Sequence, residues 1–139
     1  MTTSLSPQTP STPTTLPIDT TNLVQTICEA IDEVKGEDII AFEVTAILGI
    51  TDVFVLCSAT SPRQVAAIAD RVEENVFVSH DRKPGAIEGL EDRRWVLLDY
   101  GDVIVHVFHS EERAYYRLER LYGDAPRIAV DLDQAATRS

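Results

Sequence analysis

The spacing of apolar residues changes several times along the chain, and each spacing predicts one element of secondary structure. Between residues 23 and 34 the apolar positions recur every three or four residues, as on one face of a helix, and Gly36 marks the end of that helix. Residues 38–44 carry an apolar side chain at every second position, which indicates a half-buried strand. After a loop around Gly49, residues 53–57 are all apolar, which is typical of a strand covered on both faces.

The clearest local signal is the start of a second helix. Ser61 supplies a capping hydroxyl, Pro62 suits the first helical position, and Gln64 stands three residues after the cap. Polar residues 79–85 end this helix, and residues 86–88 are predicted to form a short strand.

The last third of the chain predicts a hairpin followed by a helix. Residues 95–98 and 103–108 are strand-like, and the segment Asp99-Tyr100-Gly101-Asp102 between them contains the glycine that a tight turn needs. Ser110 is predicted to cap the final helix, whose first turn is acidic and whose end is basic, as the helix dipole favours. Gly123 ends it.

The predicted element order is therefore α-β-β-α-(β)-β-β-α. One hairpin and one crossover helix imply a single α/β (α+β) domain with a mixed β-sheet of about five strands and flanking helices. Residues 1–20 are rich in Ser, Thr and Pro and are predicted to be a disordered extension. The domain is expected over residues 21–126, and residues 127–139 are expected to form a loose tail.

Charge narrows the choice of partner. The chain has 12 basic and 23 acidic residues, so its formal net charge is −11. Because the basic residues are scattered, we expect no direct, sequence-specific contact with nucleic acid. An acidic surface suits a basic protein partner, although the same charge also serves solubility alone.

The environment of the protein is also constrained by the sequence. No apolar run approaches the roughly 20 residues of a membrane helix. Cys28 and Cys57 lie in apolar stretches without the spacing of a disulfide or metal framework. These features predict a cytoplasmic protein.

Several linked motifs resemble one known family. Trp95–Phe108, which reads WVLLDYGDVIVHVF, is similar to the signature hairpin of the ribosomal silencing factor, or Iojap-like, family. Residues 113–119 and 121–126 also match that family, as does the segment from Asp52 to Val65. The resemblance covers about residues 22–127, which is nearly the whole predicted domain.

The resemblance implies a function as well as a fold. A member of this family is expected to have a nucleotidyltransferase-like fold without enzyme activity. It would bind ribosomal protein fourteen of the large ribosomal subunit and sterically block the small subunit. Translation would then be repressed when nutrients are limiting. A homodimer is a further possibility that the sequence leaves open.

Alternation along the first hairpin strand suggests where a partner would bind. It places Trp95, Leu97 and Asp99 on one face, and Val96 and Leu98 on the other. A large aromatic residue beside an apolar residue and a carboxylate has the composition of an interface hot spot. The alternative is that one of the protein's own helices covers Trp95. The family resemblance favours the interface.

Four more residues complete the predicted partner-binding set: Tyr100, Asp102, His106 and Tyr116. Asp99 and Asp102 flank the turn and could instead bond nearby backbone amides. His106 could be a hydrogen-bonded core residue. Tyr116 is preferred over its neighbour because only one of the two tyrosines can face outward.

No catalytic, cofactor or metal site is predicted. A nucleotidyltransferase-fold enzyme, the main alternative, would need a glycine-containing phosphate turn, and residues 57–62 have no glycine. Asp131 and Asp133 have the spacing of metal ligands but lie in the predicted tail. His106 and His109 point to opposite sides of a strand. A second alternative is an acidic adaptor for a non-ribosomal protein.

Overall fold

One five-stranded mixed sheet organises the molecule, with strand order β1-β2-β5-β4-β3. The computed structural model describes residues 16–132, apart from the side chains of Tyr115, Tyr116, Glu119 and Leu121. The elements are α1 (Ile18–Glu33), β1 (Glu37–Glu43), α2 (Thr45–Leu48), β2 (Val53–Ala59), α3 (Pro62–His80), β3 (Ala86–Glu88), β4 (Trp95–Asp99), β5 (Val103–His109), α4 (Ser110–Tyr116) and α5 (Leu118–Leu121). Strands β2 and β5 are parallel and the other neighbours are antiparallel. The predicted fold class is confirmed.

Helices α1 and α3 cover one face of this sheet. Their apolar stripes pack together with the side chains of β2, β4 and β5 that point to the same side, including Val55, Val96 and Val105. Because β2 has a neighbouring strand on each side and layers on both faces, all seven of its residues are buried. The prediction of a doubly covered strand at residues 53–57 is therefore confirmed. None of the described helices is long and apolar enough to cross a membrane.

The boundaries of α1 depend on contacts that the sequence does not announce. The helix begins at Ile18, inside the stretch that had been assigned to the disordered extension. Its first turn is fixed from outside, because the Thr20 hydroxyl donates a hydrogen bond to Asp102 at 2.9 Å. At the other end, the Gly36 amide donates to the Ile31 carbonyl at 2.9 Å. A side chain at Gly36 would lie 2.3 Å from Ile31 Cγ2, so glycine is required there.

The prediction of a loose C-terminal tail is wrong for residues 127–132. Strand β1 is an edge strand with unpaired backbone groups, and the tail pairs with them. The Ile128 amide donates to the Ala41 carbonyl at 2.8 Å, and Val130 and Leu132 pack against the core. Residues 133–139 lie outside the described part.

The helix starts and stops differ in how well the sequence predicts them. The Ser61 hydroxyl accepts the Gln64 amide at 3.1 Å, so the predicted cap of α3 is confirmed. The predicted Ser110 cap is wrong, because β5 continues to His109 and the His109 ring accepts the Glu111 amide. The final helix also breaks at Arg117, which has a left-handed φ of 52°. Helix α2 occupies the predicted loop around Gly49.

Candidate partner-binding face

The face of the sheet opposite α1 and α3 is covered unevenly. Over β1 and β2, a second apolar cluster buries Phe42 and Phe54 beneath Leu118 and Tyr122 from the C-terminal helical segment. Over β4 and the start of β5, three apolar side chains are only half-buried: Trp95, Leu97 and Ile104. We call this less covered region the Trp95 face. Its members are Trp95, Leu97 and Ile104, and the buried ring of His106 lies beneath them.

Strand pairing brings these side chains together. In the antiparallel pair of β4 and β5, Trp95 lies opposite Phe108 and Leu97 lies opposite His106. Val96 and Leu98 point to the helix side and are fully buried. The predicted division of β4 into two faces is thus confirmed. Ile104 was missed, although its alternation with His106 and Phe108 along β5 would have indicated it.

Among the described side chains, Phe108 and His106 both contact Trp95. Its ring lies 4.8 Å from the Phe108 ring, with an angle of 31° between the planes. Its indole N–H donates a hydrogen bond to His106 Nδ1 at 3.1 Å. The stacking limits the tilt of the indole, and the hydrogen bond fixes the direction of its polar edge. Trp95 therefore presents a half-buried apolar surface in a defined orientation.

His106 supports this arrangement from below. Its exposed fraction is only 4 %, and burial lowers the pKa of its imidazole to about 4. The ring stands edge-on to Phe54 at 4.6 Å. No described residue forms a hydrogen bond with its Nε2. The structure therefore places His106, itself one of the predicted partner-binding residues, beneath the surface.

The two aspartates of the turn have different roles. Asp99 Oδ1 accepts the Gly101 amide at 2.8 Å, which confirms the turn interpretation, and the residue stays half-buried at the end of β4. Asp102 instead accepts hydrogen bonds from Arg82 at 2.9 Å and from Thr20. Burial acts to raise the pKa of Asp102, but these two donors hold it below its usual value. Asp102 thus ties the turn to α1 and to the chain after α3.

Tyr100 does not join the Trp95 face. Only 5 % of it is exposed, and it packs in the cluster beneath α1 and α3. The Arg82 guanidinium lies 5.9 Å from the centre of its ring. Burial, with a smaller contribution from Glu73, raises the pKa of Tyr100 to about 12. The side chain of Tyr116 lies outside the described part.

Arg94, which the sequence analysis missed, links the start of β4 to the start of α4. Its guanidinium pairs with Glu111 at 2.7 Å and with Glu112 at 2.9 Å. These two carboxylates and His109 also offer ligand atoms within 4.8 Å of one another. Because Arg94 already neutralises both carboxylates, a metal ion would have to compete with it. These ion pairs therefore connect the residue before Trp95 to the first turn of α4.

Comparison with known proteins identifies the family. The model of the family described as "Ribosomal silencing factor during starvation" matches residues 17–139. The chain belongs to this family. The resemblance found in the hairpin and its flanking motifs is thereby confirmed.

The curated relatives of this silencing factor include bacterial and chloroplastic proteins. It is 43% identical over 109 residues to the ribosomal silencing factor of Halalkalibacterium halodurans, covering 78% of this chain and 92% of that protein. It is 33% identical over 113 residues to the chloroplastic protein Iojap of Zea mays, covering 77% of this chain and 46% of that protein.

Solved structures share the fold of this silencing factor. A crystal structure of a Chromobacterium violaceum protein matches with a TM-score of 0.71 and 32% identity, covering 74% of this chain and 85% of that chain. A Bacillus halodurans crystal structure matches with a TM-score of 0.69 and 38% identity, covering 79% and 99%. The relatives are named for silencing the ribosome, so a role in translation regulation follows from the family.

Proposed function

We propose that this silencing factor binds the large ribosomal subunit through the Trp95 face, with ribosomal protein fourteen as its partner. Occupation of that site sterically blocks the small subunit and represses translation when nutrients are limiting. The observation that carries the proposal is the half-buried, oriented indole of Trp95 on the less covered face of the sheet. Family membership supplies the ribosome as the target.

The geometry of Trp95 suits an interface anchor. Aromatic residues that fill a partner's pocket contribute a large share of binding free energy, and they do so best when they are already ordered before contact. Phe108 and His106 order the indole in the free protein. Leu97 and Ile104 extend the apolar surface around it.

Charge favours a basic protein over RNA as the direct contact. The net charge of −11 repels a phosphate backbone and attracts a basic partner. Asp99 lies at the end of β4 beside the apolar part of the face. A carboxylate at this rim would speed encounter with a basic surface more than it would strengthen the final complex.

Silencing by occupancy requires no chemical step. A folded protein on the subunit interface excludes the other subunit by its volume alone, so the proposal assigns no catalytic residue. The family assignment favours this account over the alternatives of a nucleotidyltransferase-fold enzyme and of an adaptor for a non-ribosomal protein.

The test combines direct binding with a functional readout. Purified ribosomal protein fourteen from the same organism is titrated with wild type, with Trp95→Ala and with Phe77→Ala. Subunit joining is followed by light scattering. Phe77 is the matched control, because it is an aromatic residue with 48% exposure that lies on α3, on the other side of the sheet.

We expect Trp95→Ala to weaken binding by about 2 kcal/mol, or roughly thirtyfold, and to restore subunit joining. Phe77→Ala should behave as wild type. Equal binding by a folded Trp95→Ala variant would refute the proposed face. Self-association that Trp95→Ala abolishes, without any binding to protein fourteen, would mean that a second copy of the chain occupies the face.

A further inference from the structure

His106 is a polar residue buried among aromatic rings. It lies among the rings of Phe54, Trp95 and Phe108, whose centres are 4.6, 6.0 and 6.1 Å from its own. Only 4 % of it is exposed. In such surroundings an apolar side chain would leave no polar group to satisfy, whereas an imidazole brings two ring nitrogens that both require partners.

Among the described residues, only one of those two nitrogens has a hydrogen-bond partner. An indole N–H can donate a hydrogen bond but cannot accept one, so His106 Nδ1 must be the acceptor in its 3.1 Å bond with Trp95. The neutral imidazole then carries its proton on Nε2, which is buried and makes no hydrogen bond with any described residue. A buried donor without an acceptor lowers the stability of a fold. Within the described part of the chain, Nδ1 is thus the only ring nitrogen of His106 that makes a hydrogen bond.

We infer that His106 is a positioning residue, kept because its Nδ1 fixes the orientation in which the Trp95 indole meets its partner. The inference rests on the proposed function of the Trp95 face and adds the group that orders this face. It also explains why a nearly buried residue belongs with the predicted contact residues.

The contact with Phe108 cannot do this alone. The contact with Phe108 at 4.8 Å limits the tilt of the indole, but a half-turn about the Cβ–Cγ bond keeps the ring in the same plane and exchanges its two edges. The hydrogen bond to His106 distinguishes these two orientations. Loss of this bond would weaken the preference for one orientation, and binding would then have to select it at a cost in affinity.

Two substitutions separate orientation from packing. His106→Leu removes the acceptor and keeps an apolar side chain that can fill the space. His106→Asn restores an acceptor, because Asn Oδ1 is separated from Cα by the same number of bonds as His Nδ1. Phe77→Ala again serves as the control on the other side of the sheet.

The chain contains one tryptophan, which gives a clean spectroscopic signal. A single indole N–H resonance reports on Trp95 in the free protein, without any ribosomal component. It is recorded for wild type and both His106 variants, together with the melting temperature and the affinity for ribosomal protein fourteen.

We expect His106→Leu to shift or split the indole resonance and to weaken binding about tenfold, while the melting temperature stays equal or rises. His106→Asn should recover part of the lost affinity and return the resonance toward its wild-type position. A merely structural histidine would not produce this combination.

Two results would overturn the inference. One is an unchanged indole resonance with wild-type affinity in a folded His106→Leu variant. The other is a lowered melting temperature in both variants with no recovery by asparagine, which would make His106 a packing residue. If wild type itself fails to bind protein fourteen, the proposed function fails, and the indole resonance still decides whether His106 orients Trp95.

Discussion

Asp99 combines a structural and an electrostatic contribution in one carboxylate. Its Oδ1 accepts the Gly101 amide at 2.8 Å and so closes the turn between β4 and β5. Its charge lies at the end of the strand that carries Trp95. Asp99→Asn keeps an oxygen for the turn and removes only the charge, whereas Asp99→Lys alters both.

We therefore expect Asp99→Asn to slow association with a basic partner by a factor of about two to five and to weaken its salt dependence, with little change in melting temperature. Stopped-flow binding at two salt concentrations measures this effect. Asp70→Asn on α3 is the matched control, since it removes the same charge from the other side of the sheet. Equal rates for both variants would show that only net charge matters.

His106 makes the stability of the fold depend on pH in a predictable direction. Burial holds the pKa of its imidazole at about 4 in the folded protein, whereas the unfolded chain should titrate near 6.5. Below pH 6.5, His106 is protonated in the unfolded state but stays neutral in the folded state. The free energy of unfolding therefore falls with pH until about pH 4. Above pH 6.5, His106 is neutral in both states and lowers the free energy of unfolding no further.

At 1.36 kcal/mol per pH unit, this interval corresponds to about 3 kcal/mol. Urea denaturation of wild type and His106→Leu between pH 7 and pH 4.5 should show the wild type losing stability faster. Carboxylates also titrate near pH 4.5. Because wild type and His106→Leu share the same carboxylates, comparing the two proteins removes this effect. Parallel curves for the two proteins would contradict the buried, neutral state of His106.

At the scale of elements, the connection between β3 and β4 is set by a close approach of backbone to backbone. A Cβ added to Gly89 would lie 2.1 Å from the Trp95 carbonyl oxygen, and Gly89 has a φ of +90°. Gly101 has nearly the same φ, +92°, but nothing lies within 4 Å of its added Cβ. Substitution of Gly101 therefore tests backbone strain alone, whereas substitution of Gly89 tests backbone strain together with a steric clash.

Both Gly89→Ala and Gly101→Ala should cost about 1–2 kcal/mol of stability for the left-handed backbone. Gly89→Ala should cost at least about 1 kcal/mol more, because the Trp95 backbone must move to avoid the new methyl group. Denaturant midpoints of the two variants measure the difference. Equal losses would mean that the connection yields easily and does not hold Trp95 in place.

The sequence predicts the regular elements because their determinants are local. The apolar run at residues 53–57 and the Ser61 cap with Pro62 depend on near neighbours, and the structure confirms both. The C-terminal tail and the start of α1 could not be predicted in this way. The tail adds to an edge strand more than 80 residues away, and the first turn of α1 is bonded to Asp102.

The candidate site was predictable to a similar extent. Alternation along β4 separates Trp95 and Leu97 from Val96, since side chains on a strand change sides at every residue. The side chains of the turn follow no such rule. The side chains of Tyr100 and Asp102 meet Arg82, about twenty residues earlier in the chain, which lies over the Tyr100 ring and pairs with the Asp102 carboxylate. That contact is visible only in the folded protein.

At the scale of the whole molecule, the two faces of the sheet differ in how far they are covered. Helices α1 and α3 bury one face and provide most of the core. The other face is closed over β1 and β2, and it leaves Trp95 half-buried over β4. A rigid sheet with one ordered, less covered apolar region and an overall negative charge is suited to dock on a basic protein and exclude another large body.

Co-sedimentation with separated ribosomal subunits measures which subunit the protein binds and whether Trp95 is needed for that binding. Wild type, Trp95→Ala and Phe77→Ala are each centrifuged with large subunits, with small subunits and with joined ribosomes. We expect wild type and Phe77→Ala on large subunits, with little of either on small subunits or joined ribosomes. Folded Trp95→Ala should be recovered mostly in the unbound fraction. Equal recovery of wild type on both subunits, or on neither, would contradict it.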